Sequence, residues 1–399
     1  MAGKLISIDQ ARKHALDVVQ PLARERVPIG DALGRVVAED VVAVGDVPPF
    51  PSSAMDGYAV KAGPPFRSLT VVGESRAGDP SDAVLASGEA IRVSTGAAVP
   101  EGAEAVIRQE DVEQQPGAIR TTAQTPAGTN IRWPGEDLRA GQTVLRAGAR
   151  LRAAELGAAV TAGAGEVIVS RRPTVAVLGT GDELRAPGEP LGPGEIHNSN
   201  APMLVALAAG AGAIALSPEH LPDDLSRTRA GLERALQRAD VVVISGGVSV
   251  GPHDHVRPAL EALEVRERFW GVALQPGKPT WFGERDGKPV FGLPGNPVSA
   301  VVTFTLFVRP ALAALQGEHP HRRRAHARLG APVRRNHARE QALRVRLEDR
   351  DSSTIATPNG PQGSHLVTSL LGADALAFIP AGEGELEAGT PVTVEYLAG

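Results

Sequence analysis

Two short apolar runs that end abruptly in glycine constrain this chain most. The first, from Pro173 to Leu184, reads P-T-V-A-V-L-G-T-G-D-E-L, and the second, from Ala239 to Gly251, reads A-D-V-V-V-I-S-G-G-V-S-V-G. A β-branched run bounded by turn residues suits a strand buried on both faces. Helical sequence between two such strands makes a βαβ unit, and ligands bind beyond the carboxyl ends of its strands. The glycines let backbone come close to a ligand. Function is therefore expected around Gly179–Glu183 and Ser245–Asp254.

The length, 399 residues, implies about two to four domains. Aromatic residues make up only 3% of the chain, so its cores rest on Ala, Val and Leu. The net charge of −5 argues against nucleic acid as the main partner. There is no cysteine, which excludes disulfides, thiolate metal sites and cysteine nucleophiles. The first residues lack the apolar core of a signal peptide, and no apolar stretch reads as long enough to span a membrane. A cytoplasmic location is the expectation.

Taken in order, Ser7-Ile8-Asp9-Gln10 forms a capping box before a helix expected over 8–20. Val47 to Val60 carries three prolines and the Asp56-Gly57 turn signal, and reads either as an ordered site loop or as a linker. Residues 61–140 alternate short apolar runs with Gly and Pro breaks, as in a small all-β domain. A short helix is expected over 152–162 and a strand over Glu166–Ser170. Residues 174–317 read as a doubly wound α/β domain. Its expected strands are 174–178, 214–217, 241–244 and 288–293. Its helices start at Asn198–Asn200, at Pro222–Asp224 with Leu225, Leu232 and Leu236 on the apolar face, at Val256, and at Asn296-Pro297, the last running over 298–315. The basic stretch after Gly317 reads as a solvated connector or edge strand, and residues 325–399 as a small β-domain.

The chemistry points to an anionic, phosphate-bearing ligand. Backbone N–H groups after parallel strands and at helix N-termini bind anions, and Thr180-Gly181 and Ser245-Gly246-Gly247 suit that role. Lys278 adds a positive charge. Carboxylates at Asp182, Glu183, Asp223, Asp224 and Asp254, with Asp56 and Asp137 from outside this domain, suggest Mg²⁺ bridging to phosphate. Asp223 and Asp224 also open a helix and could serve as caps only. Ser245 and Ser249 lack the G-x-S-x-G elbow of a nucleophile.

Seven motifs then occur in order: Ser53–Ala59 (S-A-M-D-G-Y-A), Thr95–Ala97, Gly135–Asp137, Thr180–Leu184, Ser245–Gly251, Pro276–Pro279 and Gly292–Ser299, with Gly363-Ser364 near the end. Together they resemble the molybdopterin molybdenumtransferase family of MoeA and the gephyrin E domain, over essentially the whole chain. The resemblance implies a multidomain α/β plus β fold in four parts. These are a discontinuous α+β domain (1–43 and 142–173), an inserted β-domain (44–141), the central α/β molybdopterin-binding domain (174–317) and a C-terminal β-domain (318–399). It implies a homodimer with the site shared between subunits. The implied reaction consumes adenylylated molybdopterin and molybdate with Mg²⁺, breaks the adenylate and releases AMP.

Carried over residue by residue, Asp182, Glu183, Asp224 and Asp254 would hold Mg²⁺ or orient molybdate and water. Asp56, Thr95 and Asp137 would complete the site from the partner chain. Lys278 and Ser245–Gly247 would hold phosphate or molybdate, with Thr180, Gly181 and Ser249 beside them. Pro294 and Pro297 would shape their loop, and Ser364 would line the cleft. Gln275 stands where many members have a second lysine, and Trp133 where an arginine often precedes G-E-D. Both lower the positive charge. A molybdopterin adenylyltransferase is the nearest enzymatic alternative and a possible upstream partner. A non-catalytic dimeric scaffold is the alternative from another class.

Overall fold

The computed structural model describes residues 5–248, 255–318, 324–350 and 352–397. The expected site residues Ser249 and Asp254 lie outside them. The chain forms two compact units, one of residues 1–25, 34–38 and 168–399, the other of 26–33 and 39–167.

The first unit is built on a mixed sheet. Its strand order is Ile214–Ala215, Thr174–Thr180, Val241–Ser245, Lys288–Leu293, Trp281–Arg285, Arg266–Trp270, and Glu219–Leu221 also pairs with Thr174–Thr180. Pairings among the first four strands are parallel and the last two strands are antiparallel. The sequence had signalled only the parallel part.

Side chains on the central strands alternate between two cores. Val175, Val177, Val241, Val243, Phe291 and Leu293 join one cluster with Leu204, Ala208 and the helix beginning at Pro297. Ala176, Leu178, Val242, Ile244 and Val290 join another with Leu232, Leu236, Val256 and Leu260. Both faces are covered, which is why the strands read as unbroken apolar runs. Each fully buried Leu or Phe contributes about 1.5–3 kcal/mol.

Local signals explain most helix boundaries. Ser7 and Gln10 form the capping box of helix Ile8–Leu16. This helix ends at Leu16 with Asp17 as its C-cap, short of the expected residue 20, and Pro21 lies just beyond it. Helix Leu225–Arg238 buries Thr228, Leu232, Ala235 and Leu236. Leu225, expected on that face, is instead 46% exposed.

From Pro297 to Leu315 the chain is helical throughout, with a π-turn at Phe304–Val308. By length and composition this segment could cross a membrane, contrary to the sequence expectation. It lies mostly buried inside the protein, packed as a core helix. The Leu306 carbonyl in the π-turn accepts from Arg12 Nε at 3.0 Å.

The C-terminal strands close on themselves. Glu340–Arg350, Ser353–Pro358, Arg324–Leu329, Pro391–Tyr396 and Ala375–Ile379 pair in that order, and the last pairs back with the first. Of the basic stretch expected as a connector or edge strand, residues 319–323 lie outside the described residues, and its remainder falls in Arg324–Leu329, which has partners on both sides and is an interior strand of the expected β-domain. In the second unit six strands form one sheet, in the order Ala105–Arg108, Gly57–Val60, Glu89–Val93, Ser68–Ser75, Ala118–Thr121, Val112–Gln115.

Candidate active site

Three neighbouring parallel strands end level with one another: Gly179 pairs in register with Ser245, and Ser245 with Leu293. The turns beyond them pack closely. Gly246 and Gly247 take φ of +90° and +62°, and a Cβ on Gly246 would lie 2.9 Å from the Thr180 carbonyl oxygen. A side chain is thus excluded by both conformation and space. The Gly246 N–H donates to the Leu293 carbonyl at 3.1 Å. Asn200, first residue of helix Asn200–Gly210, spans two of these turns. Its Nδ2 donates to Ser245 Oγ at 2.8 Å and to the Gly295 carbonyl at 2.7 Å.

The next turn carries the acids. The Asp223 N–H donates to Asp182 Oδ1 at 3.1 Å, and the Asp182 N–H to Asp223 Oδ2 at 3.4 Å. His220 Nε2 meets the Gly181 carbonyl at 2.8 Å. Asp224 caps the following helix, its Oδ1 accepting from the Arg227 N–H at 2.8 Å. That is one of the two roles its position in the sequence allows. Among the described residues, no group of three or more His, Asp or Glu side chains is gathered as a metal cage.

Asn296 and Pro297 start the long helix as expected, but the Asn296 side chain does not cap it. Its Nδ2 donates to Ser364 Oγ at 2.8 Å, and the Val298 N–H donates to the Ser364 carbonyl at 3.1 Å. Ser364 therefore stands at this helix start.

The loop before Ser364 is organised by Arg344. This fully buried guanidinium donates to the carbonyls of Pro361, Gln362 and Gly363 and to Ser369 Oγ. Burial lowers it to about 10. Lys278 is exposed in the turn after Gln275-Pro276. Gln275 Oε1 accepts from Asn336 Nδ2 at 2.6 Å, which ties that turn to the C-terminal strands.

The remaining expected residues lie in the second unit. Asp56 Oδ1 accepts from the Thr95 N–H at 2.8 Å, so these two are brought together. The Gly135 and Asp137 N–H groups donate to the carbonyls of Pro48 and Val47. Strand Ile131–Arg132 pairs with Ser52–Ser53, flanked by Asp56 and by an exposed Trp133.

Sequence reasoning passes over Asn200, His220 and Arg344, and names Asp223 among the candidate carboxylates but not among the residues carried over from the resemblance. Asn200 was visible only as part of a cap signal. Arg344 was hidden in the alternation Leu343, Val345, Leu347, whose opposite face is buried too at Ala342 and Arg344.

Comparison with known proteins supplies the family. Residues 6–163 match the MoeA N-terminal region (domain I and II), 176–314 a probable molybdopterin binding domain, and 326–397 the MoeA C-terminal region (domain IV). The molybdopterin molybdenumtransferase of Haemophilus influenzae is 36% identical over 398 residues, 98% of each chain. This chain belongs to the MoeA family.

A second MoeA relative, the molybdopterin molybdenumtransferase of Bacillus subtilis, is 34% identical and matches over 98% of this chain and 93% of its own. Among solved structures, a molybdopterin biosynthesis MoeA protein from Pyrococcus horikoshii superposes with a TM-score of 0.84 at 32% identity. It covers 98% of this chain and 100% of its own. The MoeA architecture thus extends over nearly the full length of the chain.

Proposed function

We propose that this protein acts in molybdenum cofactor biosynthesis. It inserts molybdenum from molybdate into adenylylated molybdopterin, breaking the adenylate and releasing AMP. The observation that carries this reading is the convergence of Thr180–Gly181, Ser245–Gly247 and Gly295 at level strand ends, beside the start of the Asn200–Gly210 helix. Glycine turns beside a helix start suit a phosphate or molybdate oxyanion. Full-length similarity to the named transferases supports the same reaction.

In this reading Ser245, Gly246, Gly247 and Lys278 hold oxyanions, with Thr180, Gly181 and Ser249 beside them. Ser364 lines the cleft, and Pro294 and Pro297 fix the loop. Asp182 and Glu183, with Asp223, Asp224 and Asp254, orient water and molybdate. The donor set fits Mg²⁺, which takes one or two protein carboxylates and fills its shell with phosphate oxygens and water. Asp182 and Asp223 offer such a pair. The ion, when bound, would neutralise charge on the adenylate phosphate. The side chains position the nucleophile and stabilise developing charge.

The reading further places Asp56, Thr95 and Asp137 in the site from the second subunit of a homodimer, in the cytoplasm. It keeps the four-domain division at 43/44, 141/142, 173/174 and 317/318. A molybdopterin adenylyltransferase would supply the substrate.

The test is AMP release from adenylylated molybdopterin by purified protein with Mg²⁺, with and without molybdate. Molybdate-dependent release that yields molybdenum-loaded cofactor is the expected result. Binding without AMP release under either condition would reject the reading. ATP-dependent adenylylation of molybdopterin would then favour the adenylyltransferase, and its absence a scaffold.

A further inference from the structure

Ser245 ends the central strand and is only 4% exposed. Its Oγ accepts a hydrogen bond from Asn200 Nδ2 at 2.8 Å. A serine hydroxyl has one proton and two lone pairs. With a lone pair used by Asn200, the proton must point away from Nδ2, and no hydrogen bond takes it to another described residue. The other N–H of the same amide goes to the Gly295 carbonyl at 2.7 Å.

The amide can face only one way. Reversed, its oxygen would meet the Gly295 carbonyl, acceptor against acceptor. The chosen orientation has a cost, because Asn200 Oδ1 is buried without a partner, and an orphaned buried acceptor is unfavourable. The geometry therefore sacrifices one acceptor to keep both N–H groups on Ser245 and Gly295.

We propose that Asn200 is a positioning residue: by donating to Ser245 Oγ and Gly295 O, it turns the Ser245 hydroxyl proton toward a substrate oxyanion and fixes the separation of the two turns. This rests on the reading that a phosphate or molybdate oxygen binds at Ser245–Gly247. Asn200 itself does not touch the reacting atoms; it acts through Ser245 and the Gly295 turn.

The decisive variant is Asn200→Asp, which keeps the shape and removes both N–H donors. A carboxylate would accept the Ser245 proton, turn it inward and repel the Gly295 carbonyl. The probe is AMP, titrated calorimetrically into the full-length protein. Asn200→Asp and Ser245→Ala should each weaken AMP binding by about tenfold, the scale of one such hydrogen bond. The double variant should lose less than the sum of the two single losses, since the part of the Asn200 effect that runs through Ser245 is already gone in Ser245→Ala. Fully additive losses, or unchanged affinity in Asn200→Asp, would overturn the proposal.

Hydrogen exchange without ligand separates this proposal from the reading beneath it. Asn200→Asp should speed amide exchange in both 243–247 and 293–296 while the far-ultraviolet circular dichroism stays unchanged. If wild-type protein bound no AMP but exchange rose in both segments, the clamp would stand and the oxyanion reading would fall. If exchange rose in neither segment, the clamp itself would fall.

Discussion

Asp182 and Asp223 hold each other across two strand ends, each carboxylate accepting from the other's backbone N–H. The pair fixes both side chains in adjacent turns, and among the described residues no basic side chain is bonded to either carboxylate. Replacing Asp223 with Ala leaves Asp182 free to swing. We expect AMP release to slow by about a hundredfold, the scale of a misplaced reacting group. The loss of stability should be only about 1 kcal/mol, because both residues are exposed. Rate and melting temperature measured on one preparation check both parts.

Asp224 separates two roles cleanly. Asp224→Ala removes the helix cap and should cost about 1 kcal/mol. Asn is as good a cap as Asp, so Asp224→Asn should melt with the wild type. If the carboxylate also serves metal or substrate, Asp224→Asn loses AMP release at unchanged stability. Full activity in Asp224→Asn would reduce Asp224 to a cap and remove it from the site.

Asp240 gives a pH dependence. Burial works to raise its carboxyl, but hydrogen bonds from Arg171, the Thr174 N–H and the Thr174 hydroxyl outweigh this and hold it below the ordinary range. A carboxylate lowered in the folded state stabilises above its unfolded value, and that stability is lost as pH falls through the folded one. Wild-type stability should therefore drop below about pH 4. Asp240→Asn should lose about 2 kcal/mol at neutral pH and show a shallower acid decline. Urea midpoints between neutral pH and acid measure both.

Arg344 is a buried cation whose described partners are all neutral oxygens. Arg344→Met strips donors from three successive carbonyls and should destabilise by about 2–4 kcal/mol. Arg344→Lys should recover little, since a single ammonium cannot span the fork of acceptors. Because Ser364 follows this loop, AMP affinity should fall in both variants, read by calorimetry below the denaturation range.

Much of the central domain was legible because its strands are unbroken apolar runs that stop at glycine. Val241–Ser245 and Lys288–Leu293 could hardly be read otherwise, and Asn296-Pro297 announced its helix. The antiparallel strands Arg266–Trp270 and Trp281–Arg285 were not legible. Their charged residues, such as Arg266 and Glu284, pair with each other across the ladder, so the apolar signal is diluted. Arg324–Leu329 was misread for a similar reason: its arginines suggested solvent, but the strand runs between two others.

The site was legible in its motifs and not in its fastenings. Ser245–Gly247 and Asp182 stand out as local patterns. Asn200 and Arg344 matter through partners 45 and 17–25 positions away in sequence, and no local pattern encodes such a partner. Asp224 was ambiguous because one carboxylate type serves both as cap and as ligand.

The Arg12–Glu395 pair, buried at 3.0 Å and joined by the bond from Arg12 to the π-turn, fastens the opening helix to the closing strand. Helix Ile8–Leu16 and strand Pro391–Tyr396, nearly four hundred positions apart in sequence, are thus neighbours in the native protein, and the order in which the segments are translated is incidental to the finished architecture. A circular permutant that joins the segment before helix Ile8–Leu16 to the segment after strand Pro391–Tyr396 by a flexible linker, and opens the chain at the exposed hairpin turn around Gly117, should fold to the same structure.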